Sequence, residues 1–448
     1  MIPEGAGGAP GRLLDGVKGE HVRQGLASFT DQALLSATNF VTGVLLARYT
    51  VPSVYGAFAL AFGVLLALQG LQMALITGPL TVLGAPREGE DLRRFASALA
   101  LAQVVLGLAG SLFCLLAAAV GRGLAASSEV IAVFLGLGVA CLFVQLQEFF
   151  RRLLYSRLLP GRALVNDTVY CTLQLAGVVA LWLLDRRGSG PAAGWLCGRN
   201  VFLAMAVSAL AGTFTGFVQT RAFLLSRPPS DLVSQLKEAW RMGKFGLGQQ
   251  AGNAMFHLAN RLAAAMVAGT PGVAMLEAPR LLVAPLNIVG ISVGSLTTPH
   301  AARAYAAGGK PALLGFLKPV AIAWAVGFGA YTGLIAAAPS FWLHTFYGAK
   351  YAGAETIVVL WCLSYFLLGL RVLPGSSLSV TRNYDVTMWA GLTGGAAVIA
   401  ASMLLAAWKG VTGAALGRLV GDAVLLAVLV VGFIVRVAPR DAGRLRSP

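Results

Sequence analysis

The sequence predicts an all-α membrane protein with about twelve transmembrane helices, arranged as two pseudo-symmetric six-helix lobes around a central cleft. Three observations support this fold class. Of the 448 residues, 57% are hydrophobic and only 12% are charged, and the mean hydropathy is +0.76. Apolar segments long enough to cross a bilayer follow one another with short connectors, and the second half of the chain repeats features of the first. Such a composition excludes a soluble domain.

The predicted spans are apolar segments of about 20 residues or more, the length that crosses a hydrocarbon core about 30 Å thick. They run roughly over residues 28–49, 54–84, 95–120, 129–153, 163–184, 192–215, 244–268, 278–302, 313–337, 351–372, 384–407 and 411–436. The longest connector, 216–243, joins the sixth and seventh spans and is too short to hold a soluble catalytic domain.

Basic residues predict the orientation in the membrane. The chain has 34 Lys and Arg against 18 Asp and Glu, a net charge of +16. The connectors on one side of the membrane carry about three times as many Lys and Arg as those on the other, and the positive-inside rule makes that side cytoplasmic. Both termini are therefore expected in the cytoplasm. Because topology explains the excess charge, no nucleic-acid partner is expected.

The two halves align at an offset of about 219–220 residues, as internal repeats of transporters do. Arg151 meets Arg371, and Gly194-x-x-x-Gly198-Arg199 meets Gly413-x-x-x-Gly417-Arg418. One repeat contains an even number of spans, so both lobes have the same orientation in the membrane. The predicted regions are a cytoplasmic N-terminal tail (1–27), an N-lobe (28–215), a cytoplasmic connector (216–243), a C-lobe (244–436) and a cytoplasmic C-terminal tail (437–448).

The seventh span carries a polar stripe. Gln250, Asn253, His257 and Arg261 are spaced by three, four and four residues, which places them on one helical face. In a bilayer the apolar faces meet lipid, so a polar stripe lines a cavity or packs against other helices. The repeat places the first span opposite the seventh, and Asn39 of the first span joins the stripe as a candidate substrate-binding residue.

Three arginines are predicted to lie at a similar depth in the outer half of the membrane. Arg199 and Arg418 each follow a Gly-x-x-x-Gly pair, which by itself is a packing motif. Arg261 ends the polar stripe, and few acids are expected at that depth. The hypothesis is a cationic ring for an anionic ligand group. The alternative is that these side chains reach the outer headgroups, as long basic side chains readily do.

Acidic residues near the inner surface allow two interpretations. In Ser28-x-x-Asp31, Asp31 is either part of a capping box at a helix start or a proton or Na⁺ site for coupling. Glu148 and Arg152 have the spacing of a helical ion pair, and with Arg151 and Asp167 they are expected to form a cluster at the inner surface. Glu277 and Arg280 have the spacing of a local pair at an outer turn.

The sequence offers no catalytic or metal-binding motif. The five cysteines lie far apart inside apolar segments and are interpreted as small core residues, namely Cys114, Cys141, Cys171, Cys197 and Cys362. No Ser/His/Asp, zinc or phosphate-loop pattern is present in the sequence. We therefore expect no metal, no cofactor and no enzymatic activity.

Several stretches resemble the bacterial polysaccharide flippases of the multidrug/oligosaccharidyl-lipid/polysaccharide exporter superfamily. They are Phe29-Thr-Asp-Gln-Ala-Leu-Leu-Ser-Ala-Thr-Asn-Phe, Val54-Tyr-Gly-Ala-Phe-Ala-Leu, Glu148-Phe-Phe-Arg-Arg-Leu-Leu-Tyr with Asn166-Asp167, and Pro279-Arg-Leu-Leu-Val-Ala-Pro-Leu-Asn. The resemblance implies two lobes that alternate between inward-open and outward-open states in the bacterial inner membrane. It also implies a polyprenyl-pyrophosphate-linked oligosaccharide as substrate, for exopolysaccharide or O-antigen biosynthesis.

Two alternatives stay open from the sequence. One is an H⁺- or Na⁺-coupled multidrug exporter of the same superfamily, which would need acids in the cleft to hold cations. The other is a polytopic glycan polymerase or glycosyltransferase, which would need a substantial outer loop. For the flippase, the expected partners are the lipid-linked glycan, membrane lipid and other polysaccharide-assembly proteins.

Overall fold

The computed structural model of the chain describes residues 10–188, 194–225 and 229–437, and every element in these ranges is helical. The first half contains α1 (Pro10–Tyr49), α2 (Pro52–Gln72), a π-helical segment (Met73–Thr77), α3 (Gly78–Gly84), α4 (Gly89–Gly123), α5 (Ser128–Ser156), α6 (Pro160–Arg187), α7 (Gly198–Thr220) and a 3₁₀ turn (Arg221–Phe223). The second half contains α8 (Leu232–Val283), α9 (Pro285–Ala337), α10 (Pro339–Tyr347), a 3₁₀ turn (Gly348–Tyr351), α11 (Glu355–Leu370), α12 (Val372–Val380) and α13 (Tyr384–Arg436).

The twelve-span prediction is confirmed when the long helices are divided at their breaks. Within the described residues, nine helices are long and apolar enough to cross a membrane. To these we add α1, which contains the first predicted span. The backbone of α8 and α9 breaks at Gly269 and Gly309, so these two helices supply three spans. A break at Gly410 divides α13 into two.

Each break is a tight reversal between two antiparallel spans. Gly269 has φ +63°, a left-handed conformation that glycine adopts without steric penalty, and Pro271 restarts the helix two residues later. A Cβ placed on Gly272 would lie 2.7 Å from the carbonyl oxygen of Ala264, eight residues earlier. Eight residues of straight helix would separate these residues by about 12 Å, so the chain must turn back at Gly269.

The lobes meet along a seam between α2 and α8. Gly56, Gly63 and Gly70 recur every seven residues and face Thr270, Arg261 and Gln250 in turn. A Cβ on Gly56 would lie only 1.8 Å from the Thr270 carbonyl oxygen, so the two backbones approach as closely as helices can. The order of these contacts shows that α2 and α8 are antiparallel. The seam therefore fixes how the polar stripe of the seventh span faces the N-lobe.

At the first predicted span and at the connector 216–243, the helices extend beyond the predicted bounds. The first helix begins at Pro10 rather than at Ser28, because nothing in residues 10–27 interrupts it, and residues 1–9 lie outside the described part. The connector 216–243 is mostly helical, since α7 runs to Thr220 and α8 starts at Leu232. Residues 438–448 of the predicted C-terminal tail also lie outside the described part.

Candidate functional site

The cleft between the lobes contains three connected cavities, which we name by the predicted topology. The outer cavity of about 370 Å³ and the middle cavity of about 460 Å³ share Ser36, Asn39 and Met205 among their lining residues. The inner cavity, of about 1010 Å³, shares Gln250 and Asn253 with the middle one. Because neighbouring cavities share walls, the three form one path along the cleft.

The outer cavity holds a group of three charged side chains from the C-lobe. Glu277 accepts hydrogen bonds from Nη2 of Arg261 at 2.9 Å and from Nε of Arg280 at 2.6 Å. The predicted Glu277–Arg280 pair is therefore confirmed, whereas Arg261 joins it from the facing span of the same hairpin. With two guanidinium groups and one carboxylate, the group carries a formal charge of +1.

Arg261 is held by one hydrogen bond and keeps donors free. Its exposed fraction is only 2%, and within the described residues neither Nε nor Nη1 has a hydrogen-bond partner. A buried donor without a partner costs roughly 1–3 kcal/mol, and more when the group is charged. Since Arg261 lines the outer cavity, a ligand there would satisfy these donors.

The predicted polar stripe lines the middle cavity. Gln250, Asn253 and His257 face it, together with Asn39 from the N-lobe. Asn253 donates a hydrogen bond to Gln250 at 3.2 Å. The cavity also contacts Glu148 and Arg152. Apart from this ion pair, the polar side chains of the wall are amides, an imidazole and hydroxyls, and they lie among apolar residues such as Leu66 and Val144.

The structure does not bring the three predicted arginines together. Arg199 is exposed in the first turn of α7 and lines a separate surface cavity with Glu129. Gly194 precedes the helix at φ +51°, whereas Gly413 and Gly417 pack inside the second half of α13 against Leu405 and Ser402. The repeated sequence motif thus adopts two different local structures, which is why its arginines diverge.

Arg418 has partners inside the C-lobe. It pairs with Asp422 at 2.9 Å, donates to the Phe256 carbonyl oxygen at 2.6 Å and lies over the ring of Trp361. Asp422 also pairs with Arg371. Arg261 and Arg418 therefore each have an acidic partner in the C-lobe, Glu277 and Asp422 respectively, and each acid is shared with a second arginine.

Asp31 is part of a buried ion-pair cluster and not a helix cap. It lies well inside α1 with an exposed fraction of 0%, and it accepts hydrogen bonds from Nη2 of Arg151 at 2.7 Å and from the Tyr155 hydroxyl at 2.6 Å. Arg151 also pairs with Asp167, and Glu148 pairs with Arg152 at 2.6 Å. The predicted inner cluster is confirmed, with Asp31 as an additional member.

Two residues on the N-lobe wall of the outer cavity were not found from the sequence. Gln174 and Thr42 line this cavity, and both are buried. A signal for Gln174 was present, because Asn166, Tyr170 and Gln174 recur every four residues on the buried face of α6. For metals, the described residues contain no group of three or more His, Cys, Asp or Glu placed to hold an ion.

Comparison with known proteins identifies the fold. No family model matches the sequence, and no curated protein matches it. Among solved structures, an inward-facing multidrug resistance MATE family transporter of the MOP superfamily aligns with a TM-score of 0.71 and 14% identity, over 90% of this chain and 93% of that one. An outward-facing MATE structure of the same superfamily aligns with a TM-score of 0.65 and 15% identity, over 93% of this chain and 95% of that one.

A lipid transporter has the same fold. The inward closed conformation of the lipid II flippase MurJ aligns with a TM-score of 0.68 and 13% identity, over 92% of this chain and 87% of that one. The chain therefore has the all-helical, multi-pass fold that MATE transporters and MurJ share, as the sequence predicted.

Proposed function

We propose that this protein is an alternating-access flippase of the polysaccharide flippase type. It moves a polyprenyl-pyrophosphate-linked oligosaccharide from the cytoplasmic to the outer leaflet of the bacterial inner membrane, with both of its termini in the cytoplasm. The observation that carries the proposal is the Arg261–Glu277–Arg280 group in the outer cavity. Its net positive charge and the free donors of Arg261 suit a pyrophosphate.

Arginine is suited to this ligand because its planar guanidinium donates two parallel hydrogen bonds to a phosphate. Glu277 bonds only Nη2 of Arg261, so Nε and Nη1, which lie on opposite edges of the guanidinium, remain to donate one hydrogen bond each to a ligand. The carboxylate also holds both arginines in place before a ligand arrives. Pre-positioned donors lose less conformational entropy on binding than free arginine side chains would.

The middle and inner cavities suit the sugars. Their walls contain Gln250, Asn253, Ser379 and Thr387, with the aromatic ring of Tyr384. Amides and hydroxyls both donate and accept hydrogen bonds, as sugar hydroxyls require. The charged end of the ligand would then lie in the outer cavity, and the glycan would extend inward along the connected cavities.

The charges in the cleft disfavour a multidrug exporter that carries cations. Three acids line the cavities, namely Glu277, Glu148 and Asp385. Each lies within ion-pair distance of an arginine, with Asp385 3.6 Å from Arg436. Among the described lining residues, no carboxylate is left unpaired for a cationic drug. The same superfamily fold would thus carry an anion in this protein.

The test is transport by the purified full chain in proteoliposomes. The probe is a fluorescent polyprenyl diphosphate that carries one N-acetylglucosamine, and a cationic dye such as ethidium serves as the competing substrate. We expect the protein to accelerate movement of the diphosphate probe between leaflets and to leave the dye unmoved under imposed H⁺ or Na⁺ gradients. Gradient-driven dye transport without flipping of the diphosphate probe would overturn the proposal in favour of the exporter.

A further inference from the structure

Two buried polar side chains on the N-lobe wall of the outer cavity have no partner within the described residues. Gln174 on α6 has an exposed fraction of 1%, and neither its amide oxygen nor its amide nitrogen is hydrogen-bonded. Thr42 on α1 has an exposed fraction of 2%, and its hydroxyl is also unpartnered. Both residues line the outer cavity, so a molecule in that cavity could satisfy them.

Thr42 differs from its neighbours on the same helix. The hydroxyls of Thr38 and Thr50 donate to the carbonyl oxygens of Leu34 and Leu46, one turn earlier. This local bond is the usual way for a threonine to satisfy its hydroxyl inside a transmembrane helix. The Thr42 hydroxyl does not form it, and so remains available to the cavity.

Thr42 and Gln174 belong to one wall because α1 and α6 pack side by side. The two helices contact each other, and Thr42 of α1 and Gln174 of α6 line the same cavity. Asn39 lines the cavity on the same side. Within the described lining residues, the N-lobe wall of the outer cavity carries no charged side chain, and its polar groups lie among apolar side chains such as Phe58 and Phe62.

The two walls of the outer cavity therefore suit different chemical groups of a ligand. The C-lobe wall presents Arg261 and Arg280, whereas the N-lobe wall presents the Gln174 amide and the Thr42 hydroxyl. A glutamine amide offers an acceptor and donors side by side. Adjacent hydroxyls, or an acetamido group, offer the matching pair. A ligand that meets both walls must carry an anionic group next to a hydroxyl-rich or acetamido-bearing group.

We infer that Gln174 and Thr42 bind the first sugar of the substrate, the one attached to the pyrophosphate. This inference rests on the proposed function for the pyrophosphate itself. The outer cavity, at about 370 Å³, is at the small end of ligand sites, which span about 300–1,000 Å³. We therefore assign to it the pyrophosphate and a single sugar, with the remaining sugars in the middle cavity. The N-lobe wall would thus select the identity of that first sugar.

The test is binding by the purified full chain in lipid nanodiscs. One probe is polyprenyl diphosphate without a sugar, and the other carries a single N-acetylglucosamine, which has both an acetamido group and adjacent hydroxyls. We expect wild type to bind the sugar-bearing probe at least about 10-fold more tightly, the scale of one buried hydrogen bond. Gln174→Leu and Gln174→Met should lose most of this preference without changing affinity for the bare probe.

Affinity for the bare probe reports whether each variant is folded. Thr42→Val should reduce the preference in the same direction, and Thr168→Val is its matched control, because the Thr168 hydroxyl donates to the Leu164 carbonyl oxygen. Equal affinity of wild type for both probes would overturn the inference. So would an unchanged preference in both Gln174 variants, or an equal loss for both probes. If wild type fails to bind even the bare probe, the proposed function itself fails.

Discussion

Arg48 and Lys350 cap each other's helices across the outer end of the cleft. Nη1 of Arg48 donates to the carbonyl oxygens of Thr345 and Phe346 at the C-terminal end of α10, at 2.6 and 3.2 Å. Nζ of Lys350 donates to the carbonyl oxygens of Arg48 and Thr50 at the end of α1, at 2.8 and 2.9 Å. Positive charge is favourable at both helix ends, so this reciprocal contact joins the lobes.

Removal of this contact should favour opening of the outer end. Each helix-end charge contributes about 0.3–1 kcal/mol. Arg48→Gln combined with Lys350→Gln should therefore shift the equilibrium between the closed and the open outer end of the cleft roughly 3- to 30-fold towards the open state. The measurement is labelling of Asn39→Cys from outside with an impermeant thiol reagent, because Asn39 lines the cavities. The parent without Asn39→Cys is the control. Unchanged labelling in the double variant would show that the contact does not hold the outer end closed.

The same contact should depend on pH. Burial lowers the pKa of the Lys350 ammonium group. A lysine is charged below its pKa, so the contact is intact at neutral pH and is lost as pH rises into the range below the ordinary value of about 10.4. Labelling of Asn39→Cys should increase over that range. Lys350→Arg should remove the increase, since arginine stays charged, and an increase of the same size in that variant would contradict the assignment to Lys350.

Asp31 should contribute to the stability of the folded protein and not to the transport step itself. Its carboxylate pairs with buried Arg151, and a broken buried ion pair costs about 3–5 kcal/mol. Because Asp167 and Glu148 still contact Arg151, the stability lost in Asp31→Asn should lie at or below the low end of that range. We expect a lower melting temperature, with transport retained per folded molecule. A normal melting temperature with complete loss of transport would instead support a coupling site at Asp31.

Gly63 should be required for the position of Arg261. A Cβ on Gly63 would lie 2.2 Å from Nη1 of Arg261, so Gly63→Ala forces that side chain to move. We expect folded protein with at least about a tenfold loss of transport, about 1.4 kcal/mol or more. Gly333→Ala is the matched control, because nothing lies within 4 Å of a Cβ there. Equal activity of the two variants would mean that the displacement of Arg261 does not matter.

The sequence predicted those features that depend on local periodicity. Apolar length gave the twelve spans, and helical spacing gave the polar face of Gln250, Asn253 and His257 as well as the Glu148–Arg152 pair. Asp422 lies four residues after Arg418, so that pair was also within reach of helical spacing. The mistaken start of α1 came from a Ser-x-x-Asp motif that lies inside a longer helix.

Features that depend on how the chain turns could not be predicted from the sequence. Arg261 meets Glu277 sixteen residues later only because the helix reverses at Gly269. The predicted ring of three arginines does not form for a related reason. Similar sequences around Arg199 and Arg418 do not determine where a helix begins. Gln174 and Thr42 have partner-free polar atoms that become visible only when the surrounding helices are in place.

The most direct test of the central claim compares Arg261→Gln with Arg199→Gln in the proteoliposome assay with the sugar-bearing diphosphate probe. Both substitutions remove one charge at a similar predicted depth, but only Arg261 lines the cleft. We expect Arg261→Gln to lose at least about 90% of flipping, Arg261→Lys to recover it only in part because lysine lacks the planar fork, and Arg199→Gln to flip at the wild-type rate. Wild-type flipping by Arg261→Gln, or an equal loss in Arg199→Gln, would contradict the account.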